Sequence, residues 1–193
     1  WTFQGQSERL EGWISIVGGE RTAEVELRMG ERVFQTIPEA REEGNSLFVT
    51  VEPYDVLTIM SVADPDPLRA DLTGVEVVAS EEVGVFGGHL CAYVPEGYLA
   101  CDHLETVNLP VETWRNRYVG AHTVWRSNTR AEANYYRLMA SEASEITFDP
   151  PLRGIASLGP IKGGLYGCLD LAEGDTLILG PGEWCEFGTK QDF

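Results

Sequence analysis

Lysine is nearly absent from this chain. Lys162 and Lys190 are the only two, and the other twelve basic side chains are arginines. Against these 14 cations stand 31 carboxylates, a formal net charge of −17 over 193 residues. A surface with that balance repels phosphate backbones and anionic headgroups, which disfavours nucleic-acid binding and direct membrane association. No apolar run approaches the ~20 residues of a transmembrane helix, and no basic leader with an apolar stretch opens the chain. The first residue is Trp1 rather than Met, so a processed chain or a segment of a longer protein is expected. Gly-x-Ser-x-Gly, P-loop and dinucleotide fingerprints are missing, and no stretch is low in complexity. What is present is ordinary for a folded soluble chain: 43% hydrophobic and 23% charged residues, enough for a buried core in one domain or two small modules. Cations, basic surfaces, neutral glycans or no partner at all are compatible with such a charge balance.

The four cysteines fall into two local pairs, Cys91 with Cys101 and Cys168 with Cys185. Two disulfides are expected, which places the protein in an oxidising, extracytoplasmic compartment. The rival reading is a zinc site, but neither pair has the C-x2-C spacing that a four-cysteine site uses. Paired sulfurs also leave no thiolate for nucleophilic chemistry.

The hydrophobic pattern is mainly β. Residues 22–29 alternate with period two from Ala23 onward. Residues 47–51 and 56–62 flank Glu52-Pro53-Tyr54-Asp55, and 75–79 and 83–86 flank Ser80-Glu81-Glu82; both read as hairpins, with Gly87-Gly88 ending the second. Further strands are expected at 118–125, 135–140, 145–149, 168–171 and 176–179, with Gly174-Asp175 turning between the last two. Residues 63–71 read as an exposed, proline-stiffened loop. Residues 90–117 read as irregular chain with one helical turn near 110–116, where Pro110 suits a first turn.

Segment 129–143 is rich in helix formers, yet an internal repeat argues for strand. Ile16–Thr22 resembles Leu138–Ser144, and Val25–Leu27 resembles Ile146–Phe148. Val49, Val51, Asp55, Leu57 and Ile59 match Leu169, Leu171, Asp175, Leu177 and Leu179 at a nearly constant offset. The predicted organisation is a first β module over 1–89, a disulfide loop and connecting segment over 90–132, and a second module over 133–193 that looks incomplete, since nothing after Trp184 matches Asp71–Gly74 and its hairpin. The predicted fold class is all-β, two related antiparallel modules packed as sandwiches, with propeller-like blades as the alternative.

Asp71-Leu72-Thr73-Gly74 is followed by Ala79-Ser80, Val83, Val85-Phe86, Gly88-His89 and Cys91, then by Ala100-Cys101-Asp102-His103-Leu104 and Leu109-Pro110-Val111 with Thr113-Trp114. This series resembles the IgGFc-binding protein N-terminal domain family, contiguously over roughly residues 70–150. Arg115 stands where the family usually has Gly, and Asn108 where Gln is frequent. The resemblance implies an extracellular, non-enzymatic binding or adhesion module within a larger secreted or surface protein. It carries no binding residues across.

Read from their own chemistry, His89, Asp102 and His103 are drawn toward one another if Cys91 and Cys101 pair, and two imidazoles with a carboxylate suit a borderline metal or acid–base work. The structural reading of the same residues is preferred: Asp102 caps a turn and His103 bonds to backbone, with no H-E-x-x-H motif beside them. His122 falls in an expected strand with no local partner. Asp64, Asp66 and Asp71 offer oxygens to Ca2+, but the EF-hand pattern is absent and two prolines interrupt the loop; no other cofactor is expected. Among Trp114, Trp125, Trp184, Tyr93 and Tyr98, Trp114 beside Arg115 and Arg117 is the best surface contact for a protein or glycan. The expected binding residues are therefore His89, Asp102, His103, Trp114 and Arg115. A structural spacer or fibre subunit assembling through strand edges and a metal-dependent hydrolase using His89, Asp102 and His103 are the competing readings.

Overall fold

A computed structural model describes residues 11–64, 67–94, 100–124, 128–129, 132–153 and 176–193. Two units divide the chain, Trp1–Pro110 and Val111–Phe193. In the first, alternation of apolar and polar residues produces strands that bury every second side chain. They are β1 (Gly12–Gly18), β2 (Ala23–Arg28), β3 (Arg41–Glu43), β4 (Ser46–Val51), β5 (Val56–Met60), β6 (Glu76–Ala79), β7 (Val83–Ala92) and β8 (Asp102–Val107). One antiparallel sheet has the order β5-β1-β7-β8 and the other β3-β4-β2-β6. Ile14, Ile16 and Ile59 from the first meet Val25, Leu27, Leu47, Val49 and Val51 from the second in one core. Each fully buried Leu, Ile or Val contributes roughly 1.5–3 kcal/mol. Two sheets sharing a core make a sandwich, the predicted all-β class, and not consecutive blades.

Both expected hairpins are corrected. β4 and β5 are joined by a tight turn but lie in opposite sheets, and so do β6 and β7. Period two marks which residues face the core and is silent on which strand lies alongside. Here both segments of each pair feed the same core from opposite sides, so the turns are arches. The β1–β2 link crosses as well, and the three arches stack at one end of the unit. Gly18 donates its N–H to the Asp55 carbonyl (2.9 Å) and accepts from the Tyr54 N–H (3.3 Å). A Cβ on Gly18 would lie 2.2 Å from the Glu52 carbonyl oxygen, and one on Gly19 2.4 Å from that of Glu82. Glycine is required there by close backbone approach.

Gly87-Gly88 does not end its strand: β7 continues to Ala92. It pairs with β8, a strand that falls inside the stretch expected to be irregular. The Trp13 indole lies over Gly88, where a Cβ would be 2.4 Å from Trp13 Cζ2, so the glycine serves the packing of a neighbouring ring. At the other end of the unit, Asp71–Gly74 is a turn. The buried Asp71 carboxylate accepts the Thr73 N–H (2.9 Å), Gly74 takes a positive φ of 85°, and the Arg32 guanidinium donates to the carbonyls of Met29, Asp71 and Thr73. One helical turn, Pro67–Ala70, lies within the predicted 63–71 loop.

The second unit contains a 3-10 turn at Val111–Thr113, near the expected helical turn, and strands β9 (Asn134–Met139), β10 (Ser144–Ile146), β11 (Leu177–Leu179) and β12 (Trp184–Thr189). Segment 129–143 thus contains a strand, as the repeat predicts and helix propensity does not. β9 pairs with β12 as β1 pairs with β7, but the repeat fails at β11: its match to Leu57 and Ile59 of β5 predicts pairing with β9, and it pairs with β10 instead, as β6 does with β2. β12 occupies the stretch after Trp184, where the sequence comparison matched nothing. No strand forms over 118–124; instead Gly120 exchanges two backbone hydrogen bonds with Phe193 (2.7 and 2.9 Å). Leu152, Leu177, Leu179, Cys185 and Phe187 form the core, with Tyr136, Phe148 and Phe193 packed against them. The strand expected at 168–171, the Gly174-Asp175 turn and Gly163-Gly164 lie outside the described residues. Among the described residues no helix is long and apolar enough to cross a membrane.

Candidate functional site

β7 and β8 form a long hairpin closed by the Cys91–Cys101 disulfide, with Cα atoms 5.0 Å apart. The predicted pairing is therefore present. Cys185 is disulfide-bonded too; its predicted partner Cys168 lies outside the described residues. Register slips between His89 and Ala92. At that slip His89 is 1% exposed, and its Nδ1 accepts the backbone N–H of Cys91 at 3.1 Å. An accepting Nδ1 carries no proton, so the ring is neutral with its proton on Nε2. The imidazole braces the approach to the disulfide.

His103 does not join it. His89 lies opposite Leu104, so the next residue along β8 points to the other side of the sheet. His103 is solvent-exposed there, stacked on Trp13 with ring centroids 6.4 Å apart and its Nε2 3.1 Å from Glu105 Oε2. Asp102 opens β8 and accepts the adjacent His103 N–H (2.9 Å), so it caps no turn or helix, and the His103 ring meets a carboxylate rather than the buried backbone expected. The disulfide thus brings the strands together but separates the two imidazoles onto opposite faces. Among the described residues no group of three His, Cys, Asp or Glu side chains is arranged to hold a metal.

The acidic loop is organised around its own partners. Asp64 forms an ion pair with Arg69 (3.2 Å), Asp71 serves its turn, and Asp66 is outside the described residues.

Trp114 and Arg115 belong to the second unit. Trp114 is half-buried, and its N–H closes the 3-10 turn onto the Val111 carbonyl (3.0 Å). The Arg115 guanidinium donates to the carbonyls of Trp114 (3.2 Å) and Glu112 (3.4 Å), and its N–H donates to Tyr118 Oη (3.1 Å). Trp184 is buried with the Arg137 guanidinium 3.9 Å over its ring, which removes it from the surface aromatics. Trp125 and Tyr98 are outside the described residues, and Tyr93 is half-buried.

Two arrangements were not legible beforehand. His122 finds its partner 70 positions away: Asp192 Oδ1 lies 2.6 Å from Nδ1 and accepts the His122 N–H at 2.7 Å. The imidazole's hydrogen bond, seconded by the backbone N–H, holds the Asp192 carboxyl below the usual carboxylate range. Trp13, beneath His103, could have been found from the alternation of residues 12–18, which sets it opposite the buried Ile14 and Ile16.

The family described as IgGFc binding protein matches residues 1–164 of the chain. An IgGFc-binding protein of Homo sapiens is 30% identical over 180 residues, which is 91% of this chain and 3% of the relative. The chain therefore spans a small fraction of that relative's length. No solved structure matches it significantly.

Proposed function

The chain belongs to the IgGFc-binding protein family, and from that premise we propose that it is a non-enzymatic protein-binding module of a larger extracellular protein. One observation carries the reading. The motif residues capable of chemistry are engaged in building the scaffold: Asp71 holds a turn, His89 braces a strand slip, Cys91 and Cys101 close a hairpin. The imidazoles that a hydrolase would need together face apart, which argues against acid–base or metal catalysis. The disulfides support an oxidising, secreted or surface location. The pairing of β9 with β12, like that of β1 with β7, supports a second module related to the first. Binding then rests on surface complementarity, and the partner's identity, immunoglobulin included, is a question for experiment.

Side-by-side arrays of extracellular proteins, with an Fc fragment among them, and of neutral glycans test this. Saturable binding of the oxidised chain to a protein, lost on reduction, is expected. Binding confined to glycans, or hydrolysis of an array component, would overturn it.

A further inference from the structure

The two outer faces of the first unit differ in kind. On the β3-β4-β2-β6 sheet, Arg28 pairs with Glu26 (3.2 Å) and Glu76 (2.8 Å), Ser46 and Thr50 bond to Glu26 and Glu24, and Arg41 covers Phe48. That face carries two arginines, each paired with glutamates.

The β5-β1-β7-β8 face does not resemble it. Directly opposed residues in an antiparallel sheet share a face, and the register gives three rows: Met60, Trp13, Gly88, Glu105; Thr58, Ser15, Phe86, Val107; and Val56, Val17, Gly84. Val56 is 62% exposed, Val107 54% and Phe86 40%. Glycine lies beside both aromatic rings. A Cβ on Gly88 would clash with the Trp13 indole, and one on Gly84 would be 3.4 Å from Phe86 Cε2. The rings therefore lie low on the sheet and the face is flat. Its four strands contain no Lys or Arg, and Glu105 lies on the face beside His103. Glu82 and Asp55, at the arch end, have no ion pair among the described residues.

Resting on the protein-binding reading above, we propose that this face docks a protein segment bearing lysines or arginines among apolar side chains. The apolar rows supply buried area, and Glu105 at one end, with Asp55 and Glu82 in the arches at the other, selects for positive charge. A second copy of the chain brings the same carboxylates and another −17 charges, so self-association on this face is opposed.

The test is an NMR titration of the intact oxidised chain with two matched short peptides, one of Leu and Lys and one of Leu and Glu. The Leu–Lys peptide is expected to shift amides of Trp13–Val17, Gly84–Gly88 and His103–Val107. Val107→Lys and Glu105→Lys, at exposed positions that leave the fold's spectrum intact, are each expected to weaken it at least about tenfold. Val78→Lys, on the other sheet's outer face, is expected to leave it unchanged. Equal binding of both peptides, shifts mapping elsewhere, indifference to Val107→Lys and Glu105→Lys, occupation of the Trp13 region by a neutral oligosaccharide, or dimerisation through this face would each overturn the proposal. If those two variants leave array binding to a protein intact, this surface is wrong and the module reading stands. Absence of any protein binding on the arrays defeats the module reading itself.

Discussion

At the scale of single residues, the most consequential contact is the one between His122 and Asp192. Asp192 is exposed, yet its carboxylate accepts two hydrogen bonds from one residue on a distant stretch of chain. Both favour the charged form, so its folded pKa lies below the unfolded value of about 3.9. The sign follows: its stabilisation is complete above the unfolded value and is lost as pH falls through the folded one. Asp192→Asn should therefore be less stable than the wild type near neutrality, and the gap should close under acid conditions. Thermal unfolding of both proteins across that pH range checks this; a gap that persists at low pH would assign Asp192 no such role. Sequence offered His122 as a residue in an expected strand, with no hint of its partner. The contact depends on how the chain returns, which no local pattern encodes.

At the scale of elements, the β7–β8 hairpin illustrates how far spacing reaches. Two cysteines ten positions apart predict a bridge, and the bridge is there. The same residues predict nearness of His89 and His103, but strand alternation sends them to opposite faces. The β7–β8 register and its slip near His89 set these faces, and these come from tertiary pairing. Closing a loop of this length is worth about 2–3 kcal/mol in the chain-entropy account. The double variant Cys91→Ser/Cys101→Ser should lose roughly that much in urea unfolding, with a lower midpoint; an unchanged midpoint would mean that β7–β8 pairing alone holds the hairpin. The arches make a related point. The need for glycine at Gly18 and Gly19 arises from carbonyls contributed by two other turns, which no pattern local to residues 16–22 reveals.

At the scale of the whole molecule, charge dominates. A net charge of −17 with only 14 cations makes the folded state self-repelling. Screening shortens the Debye length from ~30 Å at 0.01 M to ~3 Å at 1 M salt. The thermal midpoint should therefore rise with sodium chloride over that range. A midpoint that falls or stays flat would mean that paired charges such as those at Arg28 outweigh the repulsion. The repulsion also bears on partners, since an acidic, apolar-faced module gains most from a basic protein.

The alternating strands, the first disulfide and the family were legible in the sequence because each is a short-range pattern: period two, a ten-residue spacing, a run of motif residues; the strand in 129–143 was legible only through its likeness to a distant segment, against its local propensity. Only the tertiary structure decided that apparent hairpins are arches, that β7 runs through its glycines into a partner strand, that His89 and His103 face apart, and that Trp13, Phe86 and Val107 share one open face without a cation. These depend on which strands lie side by side and in what register. Neighbours in a sheet are chosen by the burial of the whole core, so the information lies in all the segments jointly and in none of them alone.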